Sequence, residues 1–247
     1  MKKIVAFLLL SIFLVEAIAQ TGFRYGVTLG LSGNQSNYSG GSSDANALFQ
    51  HNDFGKANLG FTARYFFDDH WSVQSGLGVS EIGFEFALAK DYSLLKKDDH
   101  FTKNNMGITV MQVPITAIYA FKPNCKNTRW FVGAGISSMT NFNNFNQSSH
   151  ATPKGEDIVN NSNYLDQTVN AEKFTVINGQ LMGGIEKTFK KGNMLQLALI
   201  TNFGFSNIAT SNVTYMVENK KYTHSFSNKG DYSGFMLTYY FKPIGEK

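Results

Sequence analysis

The amino-acid sequence predicts an all-β protein, an eight-stranded antiparallel up-and-down transmembrane β-barrel. Three observations lead there: eight segments alternate apolar with polar residues, the connections between them alternate long with short, and the N-terminus has the pattern of an export signal. Glycine (23 residues) and aromatic residues (14%) are common while proline (4 residues) is rare, as strands require. A mean hydropathy of −0.19 is compatible with a barrel, because half of each spanning strand faces a polar interior.

The N-terminus predicts a cleaved signal peptide over residues 1–19, which leaves residues 20–247 as the barrel domain. Lys2 and Lys3 precede an apolar run from Ile4 to Val15, and Ala17-Ile18-Ala19 forms the cleavage site. The run is shorter than the roughly 20 apolar residues of a spanning helix, although a retained membrane anchor is the alternative. Removing two lysines and one glutamate takes the net charge from +4 to +3. Such a weak charge predicts no nucleic-acid partner.

The clearest barrel unit is the hairpin from Leu59 to Val79, with a tight turn at Asp68-Asp69-His70. Side chains alternate faces along a strand, so this hairpin has one oily face and one polar, glycine-rich face. The oily face carries Leu59, Phe61, Ala63, Tyr65 and Phe67 on the first arm, and Trp71, Val73, Ser75, Leu77 and Val79 on the second.

The remaining six strands follow the same alternation. After Val79 the apolar residues move to the other parity (Ile82, Phe84 and Phe86), which predicts a β-bulge. A second bulge is predicted at Pro114, which cannot donate a ladder hydrogen bond. The six strands are 23–32, a strand with Met111 to Phe121 outward, 130–137, about 176–189, 195–205 and 233–242.

The lengths of the connections predict how the barrel crosses the membrane. Connections after strands one, three, five and seven are long, and those after strands two, four and six are short. Because outer-membrane barrels have short periplasmic turns, both termini are expected in the periplasm of a bacterial cell. Within the last long connection, Val213–Val217 and Tyr222–Phe226 predict a hairpin beyond the membrane. The alternative is a soluble lipocalin-like barrel, in which the two faces would be reversed.

Aromatic residues collect at the predicted periplasmic ends of the strands, where a membrane-spanning strand meets lipid headgroups. This aromatic girdle consists of Phe23, Tyr25, Tyr65, Phe67, Trp71, Tyr119, Phe121, Trp130, Phe189, Tyr239 and Phe241.

Four charged residues are turned inward by the alternation: Arg24, Arg64, Glu186 and Lys242. All four belong to the same end of the barrel, so they should form one lumenal charge cluster. A buried charge is expensive unless it is paired, which predicts that Glu186 pairs with Arg64 or Arg24 across the lumen. The cluster would plug a closed barrel; a gated small pore is the alternative.

No enzymatic constellation is predicted, and the sequence therefore favours a protein that is not an enzyme and has no cofactor or metal. The five histidines are interpreted as one turn residue and four solvated loop residues, without a nucleophile–base spacing. They are His51, His70, His100, His150 and His224. Loop aromatics would either pack on one another or bind a partner: Tyr38, Phe49, Phe54, Tyr92, Phe101, Phe142, Phe145 and Tyr164.

Four stretches carry a family resemblance: YFFDDHWSVQSGLGV (65–79), MQVPITAIYAF (111–121), VGAGI (132–136) and GFMLTYYF (234–241). With them the chain resembles outer-membrane β-barrel (porin-family) proteins of Bacteroidetes-type bacteria, including the PorT-like group, over residues 21–242. The last strand also resembles the signal read by the barrel assembly machinery, with Gly234, Leu237, Tyr239 and Phe241.

The resemblance is specific for architecture and not for function, and the sequence as a whole favours a structural, adhesive or secretion-accessory role in the outer membrane. The implied partners are outer-membrane lipid, the barrel assembly machinery and a surface or periplasmic protein. A narrow passive channel for small solutes is the alternative, followed by a surface-loop hydrolase.

Overall fold

A computed structural model describes residues 22–34, 37–41, 49–52, 55–89, 101–123, 127–141, 147–151, 164–217 and 220–242. These residues form strands and connections, and none of them is in a helix. No helix in these ranges is long and apolar enough to cross a membrane. The strands are β1 (Phe23–Asn34), β2 (Asn37–Gly41), β3 (Phe49–Asn52), β4 (Gly55–Phe66), β5 (Trp71–Ala89), β6 (Phe101–Ala120), β7 (Thr128–Asn141), β8 (Gln147–Ala151), β9 (Tyr164–Ala171), β10 (Thr175–Thr188), β11 (Met194–Gly204), β12 (Ala209–Val217), β13 (Lys220–Asn228) and β14 (Tyr232–Tyr240).

Eight of these strands close into the predicted antiparallel barrel. Their order around the wall is β5-β4-β1-β14-β11-β10-β7-β6, and pairing of β6 with β5 closes the ring. The first and last barrel strands pair along their length, from Gly26↔Tyr240 to Asn34↔Tyr232. The eight-stranded fold predicted from the alternation is therefore confirmed.

The outer surface of the barrel is an apolar belt, and the inner surface is mainly polar and glycine-rich. Phe61 is 71% exposed and Leu199 58% exposed, whereas Gln74 and Gln196 are buried. A soluble barrel would hide its large apolar side chains inside, so the lipocalin-like alternative is wrong. Other exposed members of the belt are Leu29, Leu31, Leu59, Val79, Ile115, Val132, Ile136, Leu181, Leu197, Phe235 and Leu237.

The two ends of the barrel differ. Connections 67–70 and 189–193 lie at one end, with residues 121–123 and 127, where β1 begins and β14 ends. We call this the turn end, and the opposite end the loop end. In the first connection, backbone N–H groups of Trp71 and His70 donate to the Asp68 carboxylate, and these bonds lower its pKa.

Neither predicted bulge is present in the described strands. The β5–β6 pairing keeps one register from Trp71↔Tyr119 to Ala89↔Phe101. Pro114 pairs in register with Ser137 on β7, and only a short interruption of the β5–β6 ladder accompanies it. The inward parity of β5 is the same before and after Val79. What changes there is the residue type, because apolar residues take over the inward positions.

A second sheet continues the barrel wall beyond the loop end. Its order, β2-β13-β12-β9-β8, repeats the order of the barrel strands β1-β14-β11-β10-β7 to which these strands are joined. The predicted β12–β13 hairpin is confirmed, from Ala209↔Asn228 to Val217↔Lys220. Two of the connections predicted to be long contain strands: β2 and β3 in the first, β8 and β9 in the third. The second sheet, β3, residues 80–89 of β5 and residues 101–110 of β6 lie beyond the loop end. We call them together the head.

The inside of the head is apolar. Ile82, Phe84, Ile108 and Val110 from β5 and β6 are buried at 2% exposure or less, and Phe226 from β13 is 4% exposed. They share one core with Val169, Ile208 and Val213. The outer face carries polar side chains such as Asn212 and Thr223. Polarity is therefore inverted relative to the barrel, as expected for a part that contacts water.

His224 lies in this buried interior, so its interpretation as a solvated loop residue is wrong. It is 1% exposed on β13, and its ring lies 6.4 Å from the ring of Phe226. Burial lowers the pKa of the His224 imidazole below its ordinary value of 6.5.

Acid should therefore weaken the head. Below about pH 6.5 the unfolded state binds a proton that the folded state excludes, so folding stability falls as the pH falls. Hydrogen exchange of β12 and β13, corrected for intrinsic rates, should speed up on the acid side of this value. The change should disappear in His224→Gln. Equal acid sensitivity in the variant would assign the effect to other groups.

Candidate functional site: the charged layer in the lumen

A buried ion pair crosses the lumen at the turn end. An Arg64 Nη1–H group donates to Glu186 Oε2 at 2.5 Å, and the two side chains are 0% and 1% exposed. Arg64 enters from β4 and Glu186 from β10, strands that lie on opposite sides of the ring. Strand parity points both side chains inward. Because the narrow lumen keeps water away, each buried charge is stabilised mainly by the opposite charge of its partner.

Arg129 completes the layer. On β7 it is the cross-strand neighbour of Glu186, and its Nε–H donates to Glu186 Oε1 at 2.5 Å. Its Nη1–H donates to the carbonyl of Asp69 at 2.6 Å, which ties the layer to the β4–β5 turn. The Nε–H of Arg64 donates to the hydroxyl of Ser72 at 2.8 Å. One carboxylate therefore holds two guanidinium groups from different sides of the barrel.

The sequence pattern missed Arg129, because it predicts that this strand begins at Trp130. The signal was present: Trp130 points outward, so the residue before it must point inward.

The other two members of the predicted cluster lie nearer the rim. Arg24 stacks over the Phe66 ring at 5.6 Å while Arg64 lies over the same ring at 4.6 Å. An Arg24 Nη1–H group donates to the carbonyl of Gly192 at 2.6 Å, and the two ion pairs described above join Glu186 to Arg64 and to Arg129. Lys242 lies beside Gly192, outside the buried layer.

Uncharged polar side chains fill the lumen above the charged layer. The Tyr240 hydroxyl donates to Gln74 Oε1 at 2.7 Å, and Gln74 is the cross-strand neighbour of Arg64. Nearer the loop end, Gln112 Nε2 donates to Tyr232 at 2.8 Å and to Ser137 at 2.7 Å. These bonds join strands across the ring, as is usual in narrow eight-stranded barrels, whose interior side chains meet.

Two cavities flank the charged layer. One of about 60 Å³ lies in the middle of the barrel and is lined by Thr62 and Gln74 among others. The other, about 220 Å³, opens at the turn end and is lined by Phe66 and Arg129. On β4, Arg64 lies between Thr62 and Phe66, so the charged layer separates the two cavities.

The girdle residues lie at the turn end and pack on one another. Trp130 is 68% exposed and Phe67 62% exposed. Edge-to-face contacts join Tyr65 to Phe67 at 5.2 Å and Trp71 to Tyr119 at 5.1 Å. The aromatic belt is not one-sided, however. A second set of exposed rings lies toward the loop end: Phe174, Phe203, Phe205 and Phe235.

The described histidines do not form a catalytic constellation with the charged layer. His70 Nδ1 lies 2.9 Å from the Ala120 carbonyl, and its ring stacks on Tyr119 at 5.6 Å. The side chains of His51, His100 and His150 lie outside the described residues, as do those of the eight loop aromatics. Within the part of the chain that the structure describes, no group of three His, Cys, Asp or Glu residues could hold a metal ion.

The chain was compared with protein families, curated proteins and solved structures. A family model described as "Outer membrane protein beta-barrel domain" matches residues 18–210. None of the curated proteins compared matches the chain. Similar solved structures include OprG of Pseudomonas aeruginosa, with 11% identity and a TM-score of 0.49 over 89% of this chain and 95% of that one. AlkL in lipid bilayers has 14% identity and a TM-score of 0.41, covering 91% and 92%.

Proposed function

The chain belongs to the outer membrane protein β-barrel domain family, and from this premise we propose that it is a closed anchor in the bacterial outer membrane that presents the head at the cell surface. The role is structural or interactive, as adhesion or as an accessory to secretion, and non-enzymatic. This agrees with the resemblance to the Bacteroidetes-type and PorT-like barrels.

The observation that supports this proposal is the set of buried side chains that cross the lumen and fill the head. Arg64, Glu186 and Arg129 cross it at the turn end, and the apolar residues Phe84 and Ile108 are fully buried in the head above it. A solute would have to break a buried ion pair at one end and displace a packed core at the other. Both steps are costly.

The direction of insertion follows from the shape of the two ends. Short turns in outer-membrane barrels face the periplasm, so the turn end and both termini are periplasmic and the head is external. The export signal is removed after Ala19. The last strand, with Gly234, Leu237, Tyr239 and Phe241, is the segment read by the barrel assembly machinery.

Conductance tests the closed lumen. In planar lipid bilayers the full chain should give no stable single-channel current. The alternative, a narrow passive channel, draws support from the two cavities on either side of the charged layer. A stable current from the wild-type protein would favour that channel and contradict a plugged barrel.

Cross-linking in intact cells tests the interactive role. A photoreactive residue replaces Asn212 or Thr223, both exposed on the head, and a matched one replaces the exposed Lys122 at the turn end. The proposal expects a surface protein or external ligand to be captured from the head positions. Capture of proteins only from Lys122 would contradict it and indicate a periplasmic interaction.

A further inference from the structure

Positive charge is concentrated at the turn end of the barrel. The described residues there include eight cations: Arg24, Arg64, Lys122, Arg129, Lys187, Lys190, Lys191 and Lys242. They include three carboxylates, Asp68, Asp69 and Glu186. Eight minus three leaves an excess of five positive charges. Arg64 and Arg129 against Glu186 account for one of these charges, so the other four are located at the rim, where six cations face two carboxylates.

Most of these rim cations gather around one turn, 189–193, between β10 and β11. Lys187, Lys190 and Lys191 are exposed on it or next to it. Gly192 has a φ of +85°, and a side chain there would meet Lys242 Cγ at 3.0 Å, so Lys242 packs directly over the turn. Arg24 donates to the Gly192 carbonyl from the other side. We call Lys187, Lys190, Lys191 and Lys242 the basic rim.

The basic rim adjoins the apolar belt without a break. Lys187 has the outward parity of Leu181 and Ile185 on β10, and its Nζ lies 5.8 Å from the centre of the exposed Phe189 ring. Phe189 and Phe241 each precede a lysine of the rim, and Phe121 precedes Lys122 in the same way. Within the described residues, no carboxylate forms an ion pair with any lysine of the rim. A phenyl ring in the headgroup region places the following ammonium at the depth of the lipid phosphates.

We propose that the basic rim binds the headgroup phosphate of anionic phospholipids in the leaflet at the turn end. Charge complementarity and continuity with the lipid-facing belt favour a lipid over a soluble anion. The loop end differs, because its exposed Lys173 follows Glu172 and Lys229 is two residues from Asp231, so opposite charges are mixed there. The inference does not depend on the direction of insertion or on a closed lumen.

Lipid selectivity in vesicles tests the proposal. The full chain is reconstituted in phosphatidylcholine with spin-labelled phosphatidylglycerol or spin-labelled phosphatidylcholine, and the motionally restricted fraction of each label is compared. The wild-type protein should favour phosphatidylglycerol about fivefold at a site that contacts one lysine. High salt should reduce this preference, because the rim is exposed. Free inorganic phosphate should compete no better than chloride at equal ionic strength.

Two matched triple variants decide where the preference arises. The preference ratio for phosphatidylglycerol over phosphatidylcholine should fall close to one in the rim variant, which combines Lys187→Gln, Lys190→Gln and Lys191→Gln. The ratio should stay at its wild-type value in the loop-end variant, which combines Lys173→Gln, Lys221→Gln and Lys229→Gln. All six positions lie outside the charged layer, and heat-modifiable electrophoretic mobility verifies that both variants fold. No preference in the wild-type protein, or equal losses in the two variants, would overturn the proposal. So would binding of peptidoglycan fragments through the same lysines without any lipid preference.

Discussion

Replacing Glu186 with glutamine is expected to lower the free energy of unfolding by about 3–5 kcal/mol, the usual loss when one partner of a buried ion pair is removed. Arg64 is fully buried, and it would keep its charge without the carboxylate that now meets it at 2.5 Å. Urea unfolding of the barrel in lipid vesicles measures the loss. The two tryptophans, Trp71 and Trp130, report on it because both lie at the turn end.

Two comparisons make this prediction specific. Glu172→Gln removes an exposed carboxylate near the loop end, where Glu172 Oε1 accepts a hydrogen bond from Thr210, and should change stability by less than about 1 kcal/mol. Combining Glu186→Gln with Arg64→Gln should cost less than the sum of the single changes, because the uncompensated charge is removed. Additive losses would show that the two side chains are not coupled.

Replacing Phe84 with alanine should unfold the head while the barrel stays intact. Phe84 is fully buried in the apolar core of the head, and truncation of such a ring typically costs about 3–5 kcal/mol. Hydrogen exchange should lose protection at Ile82 and Ile108 and through β12 and β13. Exchange in β10 and β11 should not change, because the backbone hydrogen bonds of these strands belong to the barrel and not to the head.

The matched control is Val79→Ala on the same strand. Val79 points outward and is 48% exposed, so it contributes to the belt rather than to the core of the head. Its truncation should leave exchange in the head unchanged. If Phe84→Ala instead lowered barrel and head protection together, the head would not be a separately unfolding unit.

The barrel was predictable because the alternation in its strands has one physical origin. Lipid on one side and a narrow lumen on the other impose opposite demands on neighbouring residues, as Leu197, Ala198 and Leu199 illustrate. The same parity placed Arg64 and Glu186 inside the barrel. It could not choose between Arg64 and Arg24 as the partner of Glu186, because that choice depends on positions across the ring.

Apart from the β12–β13 hairpin, the head was not predicted, because the β5 pattern resembles a break in the strand. After Val79 the apolar residues of β5 move from odd to even positions, as at Ile82. A bulge that reverses the strand would produce this pattern, and so would a change of the surroundings from lipid to water. The constant β5–β6 register settles this in favour of the surroundings. Short strands such as β8 and β9 carry too few alternating residues to stand out in an asparagine-rich connection.

The central claim, that the apolar face meets hydrocarbon while the polar face lines a closed interior, is tested most directly by a spin-label scan of residues 196–201 in vesicles. The single native cysteine, Cys125, is first replaced by serine. Labels at 197, 199 and 201 should collide readily with oxygen and poorly with a polar nickel chelate. Labels at 196, 198 and 200 should be shielded from both. The opposite parity, or equal access of the nickel chelate at every position, would contradict the account.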